Sequence, residues 1–553
     1  MESGDDPKIR FQKQETAFIK FLENHHAPHF PHKIKPSVAL FRMYFNALKE
    51  GNLDRITDAA GAIDKLFAIE WDEVKKNAGN ASPLDHFVAD QTIKTLQTKW
   101  RETLDEINKP MAPSYFARSA GWALAQLGPA RIHCLRPTDC SGLPISLLNP
   151  AFAKFKFILA QPMPFNSDAT RAMAVAWNLC MTMPKHFKDD TLRKEALFTH
   201  LRGLFLGRSF TTTSFGSANP AGALLRPDGS IDVVVELKNE PGNAGDVYMQ
   251  CASSFDAAAI HQLKNQASAE CAAFVISVDG PNLLICGGFK DDGVSIVEPL
   301  SHWCSMLPDG LGERQEVLAK HLYALHASLS LLKAPARGKA SKCPRIYDSF
   351  QTIDAKARPL EFISPYKPRG SHCLLLFKAK AAITDEPEEV LVKVVHGRYG
   401  EYAHRAAAQQ GFAPKLYGVA EVNGAPTAYV MEFLSKEKGW MPLRYTSLQT
   451  PEQWKLLEAQ STKFLAFMRE NRLVHGDLRP NNILLRVKDA SVELRILDWD
   501  WAGEAGSARY PLNLNQEAKL PGDAGGLITE EDDFATMTDW LKKIRDPSFR
   551  LLF

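Results

Sequence analysis

At 553 residues the chain is far longer than one hydrophobic core requires, and length alone suggests about three or four domains of ordinary size. An apolar fraction of 45% with 24% charged residues is that of an ordinary globular protein and leaves little room for long disordered tracts. Lys plus Arg (66) nearly balances Asp plus Glu (64), so any nucleic-acid contact must come from a local patch, the field of the whole molecule being weak.

The chain opens with MESGDDPKIRFQKQ, too charged for a signal peptide, and no apolar run reaches the length of a bilayer span, which implies an intracellular, reducing compartment. Residues 1–109 read as a helical N-terminal region. Phe18, Phe21 and Leu22 fall at helix spacing, as do Leu40, Tyr44 and Leu48, and no site residues cluster among them. A helical support or small partner-binding bundle is expected there. The nine cysteines include no C-x-x-C pair. His133, Cys134 and Cys140 come nearest to a metal cluster, but buried structural thiols are the commoner case.

Residues 110–332 have an α/β signature, with a helix near Leu192 to Leu206 followed by strand-like runs. Ala221 to Arg226 and Ile231 to Lys238 flank Asp228-Gly229, which predicts a hairpin closed by a type I′ turn; the runs flanking Asp279-Gly280 read the same way. In SIDVVVELKNE, Asp232, Glu236 and Lys238 sit at even spacing, so on a strand all three project from one face. Two carboxylates can bind magnesium and a neighbouring lysine can activate water or stabilise a phosphorane, the chemistry of metal-dependent phosphodiester cleavage. Gln250 begins the next helical stretch, and Glu195 on the preceding helix is the candidate to complete the set. Asp228, on the turn, is accounted for by turn chemistry. The run LLKAPARGKASKCPR marks an interdomain linker over residues 333–347; its basic residues also fit a nuclear-import patch.

From residue 348 to 553 the phosphoryl-transfer residues stand out. LVHGDLRPNNILL has the form of a kinase catalytic loop, His-x-Asp followed five residues later by Asn. Asp477 would accept the proton of a substrate hydroxyl, Asn482 would point back at a metal bridging ATP phosphates, and Arg479 could steady the transferring phosphate. Asp498, at the end of a strand in RILDWDWAG, is the second metal position, with Trp499 and Asp500 in place of the usual Phe-Gly. Upstream, Lys393 in EEVLVKVV alternates on a strand from which an ammonium reaches the α- and β-phosphates, and Glu401 opens a helical stretch as its expected carboxylate partner. The phosphate-covering loop offers Gly370 alone, leaving the backbone amides of Arg369, Gly370 and Ser371 to hold phosphate oxygens. The adenine hinge is expected at Glu432 to Leu434. ATP and Mg2+ are the implied cofactors.

Over about 200 residues this segment resembles the protein-kinase-like superfamily, and HGDLRPNNILL, DWDWAG, ARYPLNL and EEDDFATM are most similar to the atypical kinase-like domains of fungal Crinkler-type proteins. The resemblance implies Asp533, near the start of a helix under the catalytic loop, as the acid that holds the loop's backbone, and an effector-like protein acting in or near the nucleus. It departs from protein kinases in lacking an Ala-Pro-Glu motif and a glycine after Trp499, and in its short tail. The last two features also resemble aminoglycoside and choline kinases. ELKNE with the following Gly, Asp and Gln resembles the restriction-endonuclease-like, PD-(D/E)xK superfamily and the middle domain of the same Crinkler-type proteins, which implies DNA contact through this domain. The expected protein is thus multidomain α+β: a helical N-terminal region, an α/β PD-(D/E)xK-like middle domain, and a bilobal protein-kinase-like C-terminal domain with a shortened C-lobe. Four functions remain open: ATP-dependent phosphotransfer to a protein hydroxyl, a DNA-cleaving or DNA-binding protein regulated by a kinase-like domain, a small-molecule kinase resembling aminoglycoside and choline kinases, and a pseudokinase interaction protein.

Overall fold

The computed structural model describes residues 7–24 and 41–46, scattered positions from 63 to 136, and residues 142–545 except short segments, of which 333–341, 368–374 and 515–519 are the longest. The chain divides into two compact units, Met1–Arg337 and Gly338–Phe553, at a point inside the expected linker, of which residues 333–341 lie outside the described set. The first 109 residues and the middle region therefore fall in one unit. No described helix is long and apolar enough to cross a membrane.

In the first unit, helix α1 (Pro7–Asn24) buries Phe18 against Phe41 and Trp100, with ring centroids 4.8 and 5.0 Å away. Leu40 and Leu48 lie outside the described residues. The middle region is built on a seven-stranded sheet of β1 (Ile132–His133), β2 (Gly222–Leu225), β3 (Ile231–Lys238), β4 (Glu270–Asp279), β5 (Asn282–Asp291), β6 (Ser295–Pro299) and β7 (Cys304–Ser305). The order is β1-β6-β5-β4-β3-β2, with β7 beside β5. β3 and β4 are parallel, joined through the helix Val247–Asn265, and β1 runs parallel to β6.

Helices α2 (Pro150–Ala160), α3 (Ser167–Thr182), α4 (Asp190–Leu204) and α6 (Glu313–Ser328) cover one face, and α5 (Val247–Asn265) the other. Alternation along β3 sorts the two cores: Val233, Val235 and Leu237 join the α2–α3–α4–α6 layer, whereas Val234 joins the α5 layer. The helix starts follow from sequence. Asn149, Asn166 and Asp189 accept N–H groups of the first turns of α2, α3 and α4. Cys134 is a buried thiol against Gln126 and Met249.

Both expected hairpins form, but neither on the expected turn. Pro227 fixes a negative φ one residue before Asp228, so the first turn runs from Arg226 to Gly229; only Gly229 has positive φ (80°), and the ladder slips between Leu224 and Leu225. Asp279 pairs with Asn282, leaving Gly280-Pro281 as the loop with only Gly280 at positive φ (57°), as a type II′ turn requires.

The second unit begins with a closed barrel of β8 (Ser349–Thr352), β9 (Ala357–Pro365), β10 (Leu376–Ala381), β11 (Glu388–Val395), β12 (Leu416–Ala420) and β13 (Thr427–Glu432), in the order β10-β11-β13-β12-β8-β9. Helix α7 (Glu401–Gln409) interrupts it between β11 and β12. There follow β14 (Trp440–Pro442), α8 (Pro451–Glu470), β15 (Leu473–Val474), β16 (Ile483–Lys488), β17 (Ser491–Ile496), β18 (Gly503–Glu504) and α9 (Glu530–Arg545). Thr450 and Gln453 close a reciprocal capping box on α8. One core joins Ala403 and Ala407 of α7, Leu457 and Phe464 of α8, Trp499, and Met537 and Ile544 of α9.

Candidate active site

The loop bearing Asp477 is fixed at both ends by short strands: β15 pairs with β18, and β16 pairs with β14 and β17. Between them Gly476 takes φ +81°, and Pro480 opens a single 3-10 turn, Pro480–Asn482, where its missing N–H costs nothing. From below, Asp533 in the first turn of α9 accepts the backbone N–H of His475 at 2.6 Å and of Gly476 at 2.8 Å. This is the contact the resemblance implies for that residue. Burial pushes the Asp533 carboxyl up to about 7, against the opposing pull of the two N–H groups.

His475 ties this loop to the next motif. Its Nε2 bonds the Leu497 carbonyl at 3.0 Å while Nδ1 accepts the Asp477 N–H at 3.1 Å, and burial lowers its pKa to about 4, so the ring is neutral. The Asn482 carbonyl accepts the Leu497 N–H at 2.7 Å. The Asp477 carboxylate is buried and held by Arg479, which donates through Nε and, at 2.7 Å, through Nη2; Asn482 Nδ2 adds a bond at 2.8 Å. Burial raises the Asp477 pKa and the Arg479 guanidinium works against it. Arg479 is thus engaged with the candidate base, where a phosphate contact was expected.

Asp498 adopts φ +64°, a left-handed conformation that costs a non-glycine residue about 1–2 kcal/mol. The cost is met by what the turn brings together. Trp499 drops into the core, its ring parallel to His404 of α7 (centroids 5.6 Å apart) and edge-on to His475 at 4.8 Å. Asp498 and Asp500 are both left in reach of Lys393. The Lys393 ammonium from β11 donates to Asp498 Oδ1 and, at 2.6 Å, to Asp500 Oδ1, beneath the Tyr399 ring. Burial favours the neutral amine, but the two carboxylates outweigh it and hold the Lys393 pKa above its ordinary value.

The expected Lys393–Glu401 pair is not formed. Glu401 is the first residue of α7 and bonds Arg405 one turn on, at 2.8 Å to Nε and 2.6 Å to the terminal guanidinium nitrogen. An i,i+4 partner on its own helix reaches Glu401 without any tertiary arrangement. Glu432 ends β13, its N–H on the Lys415 carbonyl at 2.9 Å and its carboxylate on the Lys415 N–H at 3.2 Å; Leu434 is buried with Trp440 and Leu484. Gly370 and Ser371 lie outside the described residues.

Asn482 and Asp498 are the residues expected to offer oxygen to a metal here. Asn482 turns its Nδ2 to Asp477, hence its Oδ1 away from that carboxylate, and Asp498 is half-exposed. Such a set suits a hard cation that keeps several waters, as magnesium does. No cluster of three or more His, Cys, Asp or Glu side chains placed for a metal occurs among the described residues.

On β3 the three expected residues do share a face, the one under α5, but they do not form one site. Asp232 is buried between Arg208 and Arg226, each 2.6 Å away. Glu236 accepts from Ser254 and, at 3.0 Å, from Gln250 Nε2, both of α5. Burial pushes Glu236 up to about 7, opposed by Ser254 and the Lys238 ammonium. Glu195 is exposed on α4, and no described contact joins it to this set. Asp228 caps its own turn through the Ser230 N–H at 2.9 Å.

Spacing alone did not reveal Asp500 as a lysine partner or His475 as the tie between two motifs. The available signals were the i,i+2 acids of DWD and a histidine flanked by apolar Val474.

No protein-family model matches the chain. A candidate ribosomal protein S6 kinase alpha-2 of Caenorhabditis elegans is 26% identical over 181 residues, 31% of this chain and 23% of that protein, so the chain spans about a quarter of this curated relative. Among solved structures, the kinase PK-1 of Cydia pomonella granulovirus matches 34% of this chain and 67% of its own at 16% identity, with a TM-score of 0.26. Sequence similarity to a kinase over about a third of the chain supports a kinase-like domain within it.

Proposed function

We propose that the Gly338–Phe553 unit is an ATP- and magnesium-dependent phosphotransferase of the protein-kinase-like kind, acting on protein Ser or Thr hydroxyls. The observation that carries this reading is the convergence of Lys393, Asp477, Asn482 and Asp498 from three separate chain segments, locked through His475 and Leu497. Magnesium, when bound by Asn482 and Asp498, would neutralise charge on the phosphate oxygens. Lys393 presents its ammonium to the α- and β-phosphates. Asp477 takes the hydroxyl proton on a carboxylate oxygen that also accepts from Arg479. Radiolabelled transfer from ATP by wild type and Asp477→Asn tests this: transfer is expected to fall by about two to four decades with nucleotide binding nearly intact. Equal transfer would reject it.

A second reading, phosphodiester chemistry on DNA by the first unit, is favoured by Gln250 reaching Glu236 beside Lys238. The two arginines on Asp232 weigh against a two-carboxylate metal site there. Magnesium- or manganese-dependent plasmid nicking by the full chain, lost in a Glu236→Ala, Lys238→Ala double variant, would support it; equal nicking rates would end it.

A further inference from the structure

We propose that Asp500, not Glu401, is the positioning residue that holds the Lys393 ammonium for nucleotide phosphates; this deepens the phosphotransferase reading and rests on it. Among the described residues Lys393 has two acidic partners, and both come from DWD, Asp498 and Asp500. Asp498 is also a residue expected to bind the cation. When Asp498 turns to that duty the ammonium needs a second carboxylate, and Asp500 already accepts from it at 2.6 Å.

Glu401 is poorly placed to substitute. Arg405 occupies its carboxylate, and the start of α7 is bolted to the DWD segment backbone to backbone. The Gly400 N–H donates to the Trp499 carbonyl at 2.9 Å, and a Cβ on Gly400 would lie 2.5 Å from the Ala502 carbonyl oxygen. Trp499, stacked on His404, locks the same seam from inside the core. Helix α7 therefore serves as a fixed wall that sets where Asp500 stands. Its own acid is spent on helix stability. Tyr399 covers the ammonium from the helix side, its ring centroid 5.8 Å from Nζ and its hydroxyl 2.7 Å from His404 Nδ1.

The test uses the full chain as wild type, Asp500→Asn, Asp500→Glu and Glu401→Gln. Metal-free ATP affinity is measured by titration calorimetry, and KM and kcat by radiolabelled transfer. Asp500→Asn is expected to weaken metal-free ATP binding by about tenfold and to lower kcat/KM by about 10- to 100-fold, the scale of a misplaced positioning group. Asp500→Glu should recover most of both losses, which replacing a merely structural residue would not do. Glu401→Gln should stay within about twofold of wild type, as loss of a surface helix pair predicts. The assignment is overturned if Glu401→Gln loses ATP affinity tenfold, whether or not Asp500→Asn folds, or if wild-type affinity survives in Asp500→Asn. Wild-type protein that binds no ATP with or without magnesium would overturn the phosphotransferase reading itself, and this assignment with it.

Discussion

Removing one carboxylate oxygen from beneath the catalytic loop tests whether Asp533 is what keeps that loop in place. In Asp533→Asn the side chain keeps its shape but has only one acceptor oxygen, while two buried N–H groups, of His475 and Gly476, face it at 2.6 and 2.8 Å. One of them must then confront an amide NH2. A buried donor left without an acceptor costs about 1–3 kcal/mol, and loss of a negative charge in the first turn of α9 adds about 0.3–1 kcal/mol. Since Asp533 contacts the loop directly, most of this cost should appear as local opening. Hydrogen exchange of the 473–478 amides, followed by mass spectrometry at pH 8 where the wild-type carboxyl is ionised, should speed up by about 5- to 150-fold. The 483–488 strand, held by its own ladder, should change less. Exchange of the His475 and Gly476 amides at the wild-type rate would refute the reasoning, because those N–H groups would have found other acceptors.

Gly476→Ala should destabilise the second unit by about 1–2 kcal/mol from the left-handed backbone alone, with a further penalty because the new methyl would lie 2.6 Å from Ile528 Cδ1; an unfolding midpoint unchanged from wild type would contradict this. Glu236 supplies a pH dependence of opposite sign to that of a salt-bridged carboxylate. Its folded pKa, about 7, lies above the ordinary 4.5, so from about pH 4.5 to 7 the folded state binds more protons than the unfolded one. Its contribution is therefore present in acid and lost as pH rises through 7, at most about 3 kcal/mol at 1.36 kcal/mol per unit. Glu236→Gln cannot ionise, so its thermal midpoint should fall less than that of wild type between pH 5 and 8; parallel profiles would show that Glu236 titrates normally.

The candidate site was legible as an order of residue types. Asp477 and Asn482 are separated by one tight turn, and that spacing is a local property which Gly476 and Pro480 enforce wherever the segment lies. The even spacing of Asp232, Glu236 and Lys238 likewise determined that they share a face of β3, because side chains alternate along any strand. What local spacing could not supply was each charge's partner. Glu401 had Arg405 four residues away and Lys393 eight residues behind, and only the packing of α7 on the Trp499–Ala502 backbone decided that the lysine would meet Asp500. Asp232 was drawn from the expected metal set by Arg208, which reaches it from the segment after α4. The pairing of charges is decided by desolvation: a buried carboxylate takes whichever cation the fold carries into the dry interior with it, and that depends on elements distant in sequence.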